Sequence, residues 1–144
     1  MGIINKFKNW FKTNELHNTF NSWLDHCLDS EIPRGIKAFN FNIFEGMNSY
    51  AIQLIGSKEY SEEGEDWACT EIYSSNDNLF YIERTQELLD WEKGLEFIKT
   101  LIENYLSVGK NAAILKSVNA ITVGFIDGDL IVVYKNHFEP DWII

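Results

Sequence analysis

The sequence predicts an α+β fold, a single domain over residues 1–144 in which helices pack on one face of a mainly antiparallel sheet of about six strands. Segments that alternate apolar and polar residues, as strands do, follow one another between helical segments, without the regular strand-helix alternation of a parallel sheet. The chain is 45% hydrophobic and 15% aromatic, which is enough apolar surface for one core and too much for a disordered acidic segment.

Residues 1–30 are predicted to form an N-terminal helical segment. From Leu16 to Leu28 the apolar side chains recur at three- and four-residue spacing, the period of an amphipathic helix. Thr13 or Asn14 can cap the start of this helix, and Pro33 follows its end. The opening is therefore expected to contain helices, the second of which begins at this cap.

The sheet is predicted within residues 36–136, and its first four strands are expected to be antiparallel. A turn at Gly46–Ser49 joins the first two strands, and the polar, acidic stretch Ser57–Asp66 after the second is expected to be an exposed loop. The four predicted strands are Phe39–Ile43, Tyr50–Leu54, Trp67–Tyr73 and Leu79–Arg84.

A long helix and a hairpin complete the predicted fold. An apolar stripe at helical spacing predicts a helix over residues 88–108 that ends near Gly109. The stretch 120–134 predicts a C-terminal hairpin, because Asp127-Gly128 stands between two alternating apolar runs and this dipeptide favours a tight turn.

The net charge of -10 indicates which partners the chain can have. The acid is concentrated between Glu59 and Glu103, where only Arg84, Lys93 and Lys99 are basic. A field of this sign accelerates association with a basic protein and repels nucleic acid. We therefore expect a basic protein partner and no nucleic-acid partner.

A partner-binding surface is predicted where aromatic residues flank the acidic loop. Aromatic anchors within a charged rim are typical of tight protein interfaces. The alternative, that these aromatics belong to the core or to loop packing, stays open, and Phe138 and Trp142 beside Glu139 and Asp141 form a second aromatic and acidic set. The predicted binding residues are Glu59, Tyr60, Glu62, Glu63, Glu65, Asp66, Trp67 and Tyr73.

The sequence contains no motif that predicts an enzyme, a metal site or a cofactor. Glu71 and Glu83 are the best candidates for paired acid-base carboxylates, with outward-facing strand positions as the alternative. His26 and Cys27 point about 100° apart on a helix, so they cannot form a base-nucleophile pair. The turn 127–129 lacks the further oxygen ligands of a calcium loop.

A cytoplasmic protein without an integral membrane segment is expected. No apolar run approaches the about 20 residues that span a bilayer, and no signal peptide is recognisable. Cys27 and Cys69 form no disulfide framework or zinc motif and are expected to be buried free thiols. Residues 1–12 carry three lysines around an apolar face, for which docking on the domain itself and docking on a membrane surface both remain open.

Trp67 at the head of a predicted strand and the segment 123–130, Val-Gly-Phe-Ile-Asp-Gly-Asp-Leu, resemble bacterial immunity proteins of polymorphic and contact-dependent toxin systems. By layout the resemblance extends from Phe39 to Tyr134. It implies a protein that binds one cognate toxin, often a basic nuclease, and covers its active site. The acidic field would then stand in for the anionic substrate of the toxin.

The expected function is therefore an acidic protein-binding module, most directly an immunity protein that neutralises a basic toxin. One alternative is a secretion-type chaperone or adaptor, which would cradle an extended segment and form a dimer. The other is a small hydrolase that uses Glu71 and Glu83. The sequence does not indicate the oligomeric state.

Overall fold

The computed structural model describes the backbone of residues 2–136 and the side chains of residues 12–136. Its architecture is the predicted α+β class, with a six-stranded, mostly antiparallel sheet. Short 3-10 helices cover Asp66–Cys69 and Gln86–Leu88. The other elements are α1 (Gly2–Asp29), β1 (Ala38–Glu45), β2 (Ser49–Ser57), β3 (Glu71–Ser74), β4 (Phe80–Glu83), α2 (Trp91–Val108), α3 (Ala112–Lys116), β5 (Ala120–Phe125) and β6 (Ile131–Lys135).

The strands run in the order β3-β2-β1-β5-β6, and β4 also pairs with β2. β3 and β4 therefore share one edge of β2, where β3 pairs with Ile55–Ser57 and β4 with Ser49–Ile52. β1 and β5 are parallel, and every other pair is antiparallel. This parallel pair places β5 beside β1 inside the sheet and leaves β6 at its edge.

The helices pack on one side of the sheet, which we call the first face; the opposite side is the second face. Phe41 of β1 and Val123 of β5 are neighbours in register on the first face, and both are fully buried. The ring of Phe20 in α1 lies 6.4 Å from that of Phe41 and 5.3 Å from that of Phe80. Residues of α2 and α3, such as Leu115, belong to the same cluster. The core thus lies between the first face and the helices.

α1 is one continuous helix, so the predicted helix start at Thr13 or Asn14 is wrong. Both residues are exposed, and a short polar side chain is tolerated inside a helix where it faces solvent. The segment ends as expected at Asp29, before Pro33.

Polar contacts join the C-terminal half of α1 to the region after α2. The Tyr105 hydroxyl donates to Oδ1 of Asp25 at 2.5 Å, and Nδ2 of Asn111 donates to Oδ1 of Asp29 at 3.0 Å. Lys110 forms an ion pair with Asp29 at 3.1 Å. The hydrogen bond from Asn111 and the contact with Lys110 lower the pKa of the Asp29 carboxyl. These bonds fix α1 against the end of α2.

α2 is capped at its start by Asp90 and ends where the sequence predicts, before Gly109. Oδ1 of Asp90 accepts the backbone N–H of Glu92 at 3.1 Å, and Gly109 follows the last turn. The helix begins at Trp91 and not at residue 88, because the preceding residues form a 3-10 turn. No helix within residues 2–136 is long enough and apolar enough to cross a membrane.

Candidate functional site

The acidic loop, residues 58–66, lies on the second face of the sheet. Together with Trp67 it encloses a cavity of about 190 Å³ above β5 and β6, lined on the sheet side by Thr122 and Val132. Tyr60 and Glu62 line the loop side of the same cavity. The loop was expected to be exposed, and its charged side chains are, but its backbone passes over the sheet instead of extending into solvent.

Hydrogen bonds from the end of β2 hold the loop in place. The buried hydroxyl of Ser57 donates to the carbonyl oxygen of Trp67 at 2.6 Å and accepts the N–H of Glu59 at 3.1 Å. Thr70 brings the two ends of the loop together, because its hydroxyl lies 3.2 Å from Oε2 of Glu59. The loop backbone is thus fixed before any partner arrives.

The carboxylates of the loop fall into two groups. Oε1 of Glu65 accepts the backbone N–H of Leu130 at 2.8 Å, and Glu62 forms an ion pair with Lys135 of β6. These two carboxylates attach the loop to the C-terminal hairpin, whereas Glu63 and Asp66 are exposed and have no side-chain hydrogen bond or ion pair within the described part of the chain. Glu63 and Asp66 are the carboxylates available to a partner.

The expectation that Trp67 is an exposed anchor in a strand is wrong. Trp67 lies in a 3-10 helix and is only 5% exposed, because its ring packs against Tyr60 with the centroids 5.2 Å apart. The strand that was predicted from Trp67 begins at Glu71. Trp67 therefore packs inside the acidic loop and offers no exposed aromatic surface to a partner.

Tyr73 lies on the opposite side of the sheet from the acidic loop. It pairs in register with Gly56 and is half-buried on the first face, where its hydroxyl donates to the carbonyl oxygen of Cys27 in α1 at 3.1 Å. Burial raises its pKa. The structure therefore brings together Glu59, Tyr60, Glu62, Glu63, Glu65, Asp66 and Trp67, and separates Tyr73 from them.

Phe138 and Trp142, with Glu139 and Asp141, lie outside the described residues, as does His137. The same is true of the side chains of residues 1–11, so the docking of the basic N-terminal stretch stays an expectation.

The proposed acid-base pair of Glu71 and Glu83 is incompatible with the sheet topology. Glu71 pairs with Ser57 and Glu83 with Ser49, at the two ends of β2. With a rise of about 3.3 Å per residue, the two positions are about 26 Å apart, far beyond the roughly 5 to 10 Å of glycosidase pairs. Both side chains are exposed. The hydrolase alternative loses the pair on which it depended.

The two cysteines are free thiols in different surroundings. Cys27 lies in α1 and is buried in the core, and burial raises the pKa of its thiol to about 11, so it stays protonated and unreactive. Cys69 is exposed beside the acidic loop, at the end of the 3-10 helix, so the expectation that both thiols are buried is wrong for Cys69. Among the described residues, no group of three or more His, Cys, Asp or Glu side chains is placed to hold a metal ion.

A row of polar side chains crosses the second face, a feature that the sequence pattern did not reveal. The Thr122 hydroxyl donates to Oδ1 of Asn40 at 2.8 Å, and Nδ2 of Asn40 donates to Oδ1 of Asn42 at 2.7 Å. The row continues from Asn42 to Gln53 at 3.1 Å. Asn40 and Thr122 are almost fully buried, at 1% and 2% exposure.

Comparison with protein-family models, with curated proteins and with solved structures finds no match for this chain.

Proposed function

We propose that this chain is an acidic protein-binding module that captures a basic protein, acting as an immunity-type inhibitor of a cognate toxin. The observation that carries the proposal is the acidic loop, whose backbone is fixed by internal hydrogen bonds while Glu63 and Asp66 face solvent. A surface that is already ordered loses little conformational entropy on binding, so more of its interaction energy appears as affinity.

Charge supports the proposal beyond the loop itself. The net charge of -10 creates a long-range field that steers a basic partner toward the protein and raises its association rate. A basic nuclease, whose own site attracts phosphates, has the complementary surface. The proposal places the chain in the cytoplasm, in keeping with the free thiols of Cys27 and Cys69.

The test of this function begins with affinity capture. The immobilised full-length chain is exposed to native lysate at low salt, and retained proteins are identified by mass spectrometry and prepared in pure form. We expect one basic protein to be retained, to be released as salt rises, and to inhibit growth when it is expressed alone but not with this chain.

Two results would contradict the function. Retention of no basic protein would remove the binding role, and a retained basic protein whose expression is harmless would remove the inhibitor role. A catalytically dead variant of the captured protein, which should bind equally well, separates binding from toxicity.

A further inference from the structure

Three exposed hydrophobic side chains lie at the end of the sheet where β1 and β5 terminate, on the side of α2; we call them the apical patch. Exposed apolar side chains within a polar rim are typical of interaction sites. The patch consists of Met47 (88% exposed) at the tip of the first hairpin, Leu89 (55%) and Trp91 (48%). Phe44 and Ile126 are exposed at the same end, but strand alternation places them on the second face.

Backbone hydrogen bonds and one arginine place the neighbouring segments at this end of the sheet. The N–H of Ile126 donates to the carbonyl oxygen of Ile43 at 3.1 Å, which places Ile126 beside Phe44. The Arg84 guanidinium donates to Gly46 O at 2.8 Å and to Leu89 O at 2.5 Å, which holds the Met47 turn next to Leu89.

Trp91 is fixed on the inner side of the same patch. Its ring meets that of Phe125 edge to face, with the centroids 5.9 Å apart, and Phe125 in turn lies 6.1 Å from Tyr50. The half of Trp91 that remains exposed is therefore held in a defined position. A rigid, half-exposed tryptophan is the side chain most often found as an energetic hot spot in protein interfaces.

Acidic side chains surround the patch. Arg84 lies there too, but its side chain is only 12% exposed and is engaged by Glu45, so Lys93 is the basic side chain that stays exposed nearby in the described structure. The bond from Leu130 to Glu65 joins the acidic loop to this end of the molecule. The acidic residues in the turns, strand ends and helix start around the patch are Glu45, Glu83, Glu87, Asp90, Glu92, Asp127 and Asp129.

We propose that the apical patch is the anchor site for the basic protein partner, with Trp91 and Met47 at its centre. This inference rests on the proposed function and adds an apolar anchor to the acidic surface that steers the partner. The complementary partner surface has an apolar projection flanked by lysine or arginine, because an apolar centre within an acidic rim fits that arrangement. A second copy of this chain would bring the same acidic rim against itself and is disfavoured by charge.

The test measures the dissociation constant of the purified captured protein for apical variants. Trp91→Ala should weaken binding by about a hundredfold and Met47→Ala by about tenfold, as expected for a central aromatic anchor and its neighbour. Val108→Ala is the matched control, because Val108 is 67% exposed at the other end of α2, about 26 Å from Trp91. The control should bind within twofold of the unmodified chain.

The outcomes separate this inference from the function on which it rests. If a basic protein is captured but Met47→Ala and Trp91→Ala both bind it within twofold of the unmodified chain, the apical site is wrong and the function stands. If no basic protein is captured, both are overturned. Met47 is so exposed that its substitution cannot unfold the core, so the test holds even where Trp91→Ala is destabilised. A concentration-dependent dimer abolished by Met47→Ala would assign the patch to a second copy and overturn the inference.

Discussion

Tyr50 shows how one buried side chain determines its neighbours. Its ring is fully buried, its hydroxyl donates to Leu88 O at 2.6 Å, and the Arg84 guanidinium lies 4.8 Å from the ring centroid. α2 passes so close that a Cβ atom built on Gly94 would lie 2.6 Å from the Tyr50 hydroxyl. Glycine is therefore required at position 94 because the helix backbone lies so close to the Tyr50 ring, although glycine is otherwise unfavourable inside a helix.

Gly94→Ala should therefore lower the free energy of unfolding. Alanine gains about 1 kcal/mol of helix propensity, but the contact with the fixed Tyr50 ring costs about 1–3 kcal/mol or more, so overpacking outweighs propensity. Urea denaturation measures the difference. Gly64→Ala is the control, since nothing lies within 4 Å of its Cβ position, and it should leave the midpoint nearly unchanged. Equal midpoints for the two variants would contradict the packing seen here.

The Tyr105 hydroxyl gives a pH-dependent prediction. Burial, and next the hydrogen bond to Asp25, raise the pKa of Tyr105 above its ordinary value. The unfolded chain ionises its tyrosines near pH 10, so above that pH it binds fewer protons than the folded chain and stability falls as pH rises. Tyr105→Phe should flatten this fall and, by removing a bond to a carboxylate, cost about 1–3 kcal/mol at pH 7.

Denaturant titrations at pH 7 and at stepped pH values above 9 measure both effects. Burial also raises the pKa of Tyr50 and Tyr73, so part of the alkaline loss should persist in the variant. Tyr81→Phe is the control, because the Tyr81 side chain is 62% exposed. Its free energy of unfolding should fall with pH as steeply as that of the unmodified chain. If stability falls with pH as steeply in Tyr105→Phe as in the unmodified chain, Tyr105 ionises at the same pH in the folded and the unfolded chain.

At the scale of elements, Arg84 joins β4 to the first hairpin and to the approach of α2. Its guanidinium donates to Oε2 of Glu45 at 2.7 Å as well as to the carbonyl oxygens of Gly46 and Leu89. Three acceptors in different directions suit the planar fork of arginine and not the single ammonium of lysine. This set of three hydrogen bonds, which we call the Arg84 clamp, therefore depends on the identity of the residue and not only on its charge.

Arg84→Lys should destabilise the protein by about 1–2 kcal/mol despite the preserved charge, because at least one carbonyl oxygen loses its donor. Thermal and urea unfolding measure this cost. Arg34→Lys, at an exposed position before β1, is the matched control and should have little effect. If both variants unfold alike, the clamp contributes nothing beyond charge.

Whole strands and helices could be predicted from sequence where a single periodicity dominated. The alternation around Phe41 and the Asp127-Gly128 turn predicted β1 and the C-terminal hairpin, and the apolar stripe predicted α2. The stretch after Trp67 was misread, because an aromatic residue followed by mixed polar residues fits both a strand and a 3-10 turn packed on a sheet. The pairing of β3 and β4 with one edge of β2 depends on long-range register, which local pattern does not encode.

At the scale of the molecule, the charge predicted a basic partner, but composition could not show which carboxylates are free. Glu62 and Glu65 look identical to Glu63 in sequence, yet they are used to attach the acidic loop to the hairpin. The apical patch escaped sequence reasoning for a related reason. Its members come from separate segments, and each alone resembles an ordinary apolar position until the fold brings their exposed sides together.

The structure distinguishes the carboxylates that can be neutralised without loosening the acidic loop. Replacing all of Glu62, Glu63, Glu65 and Asp66 would also loosen the loop, whereas Glu63→Gln with Asp66→Asn removes charge without removing an internal bond. The double variant should fold with the stability of the unmodified chain, within about 0.5 kcal/mol, as surface substitutions usually do. A larger loss in urea denaturation would mean that these carboxylates also support the loop.

The most direct test of the central claim, that a fixed acidic surface steers a basic partner, is the association rate constant of the captured protein by stopped flow at low and high salt. For the unmodified chain the rate constant should fall steeply as salt rises. The double variant Glu63→Gln with Asp66→Asn should associate severalfold more slowly at low salt, and at high salt its rate constant should equal that of the unmodified chain. The control Glu15→Gln with Glu103→Gln changes net charge equally at distant exposed positions and should be affected less. Rates that are independent of salt and equal in all three proteins would contradict the claim.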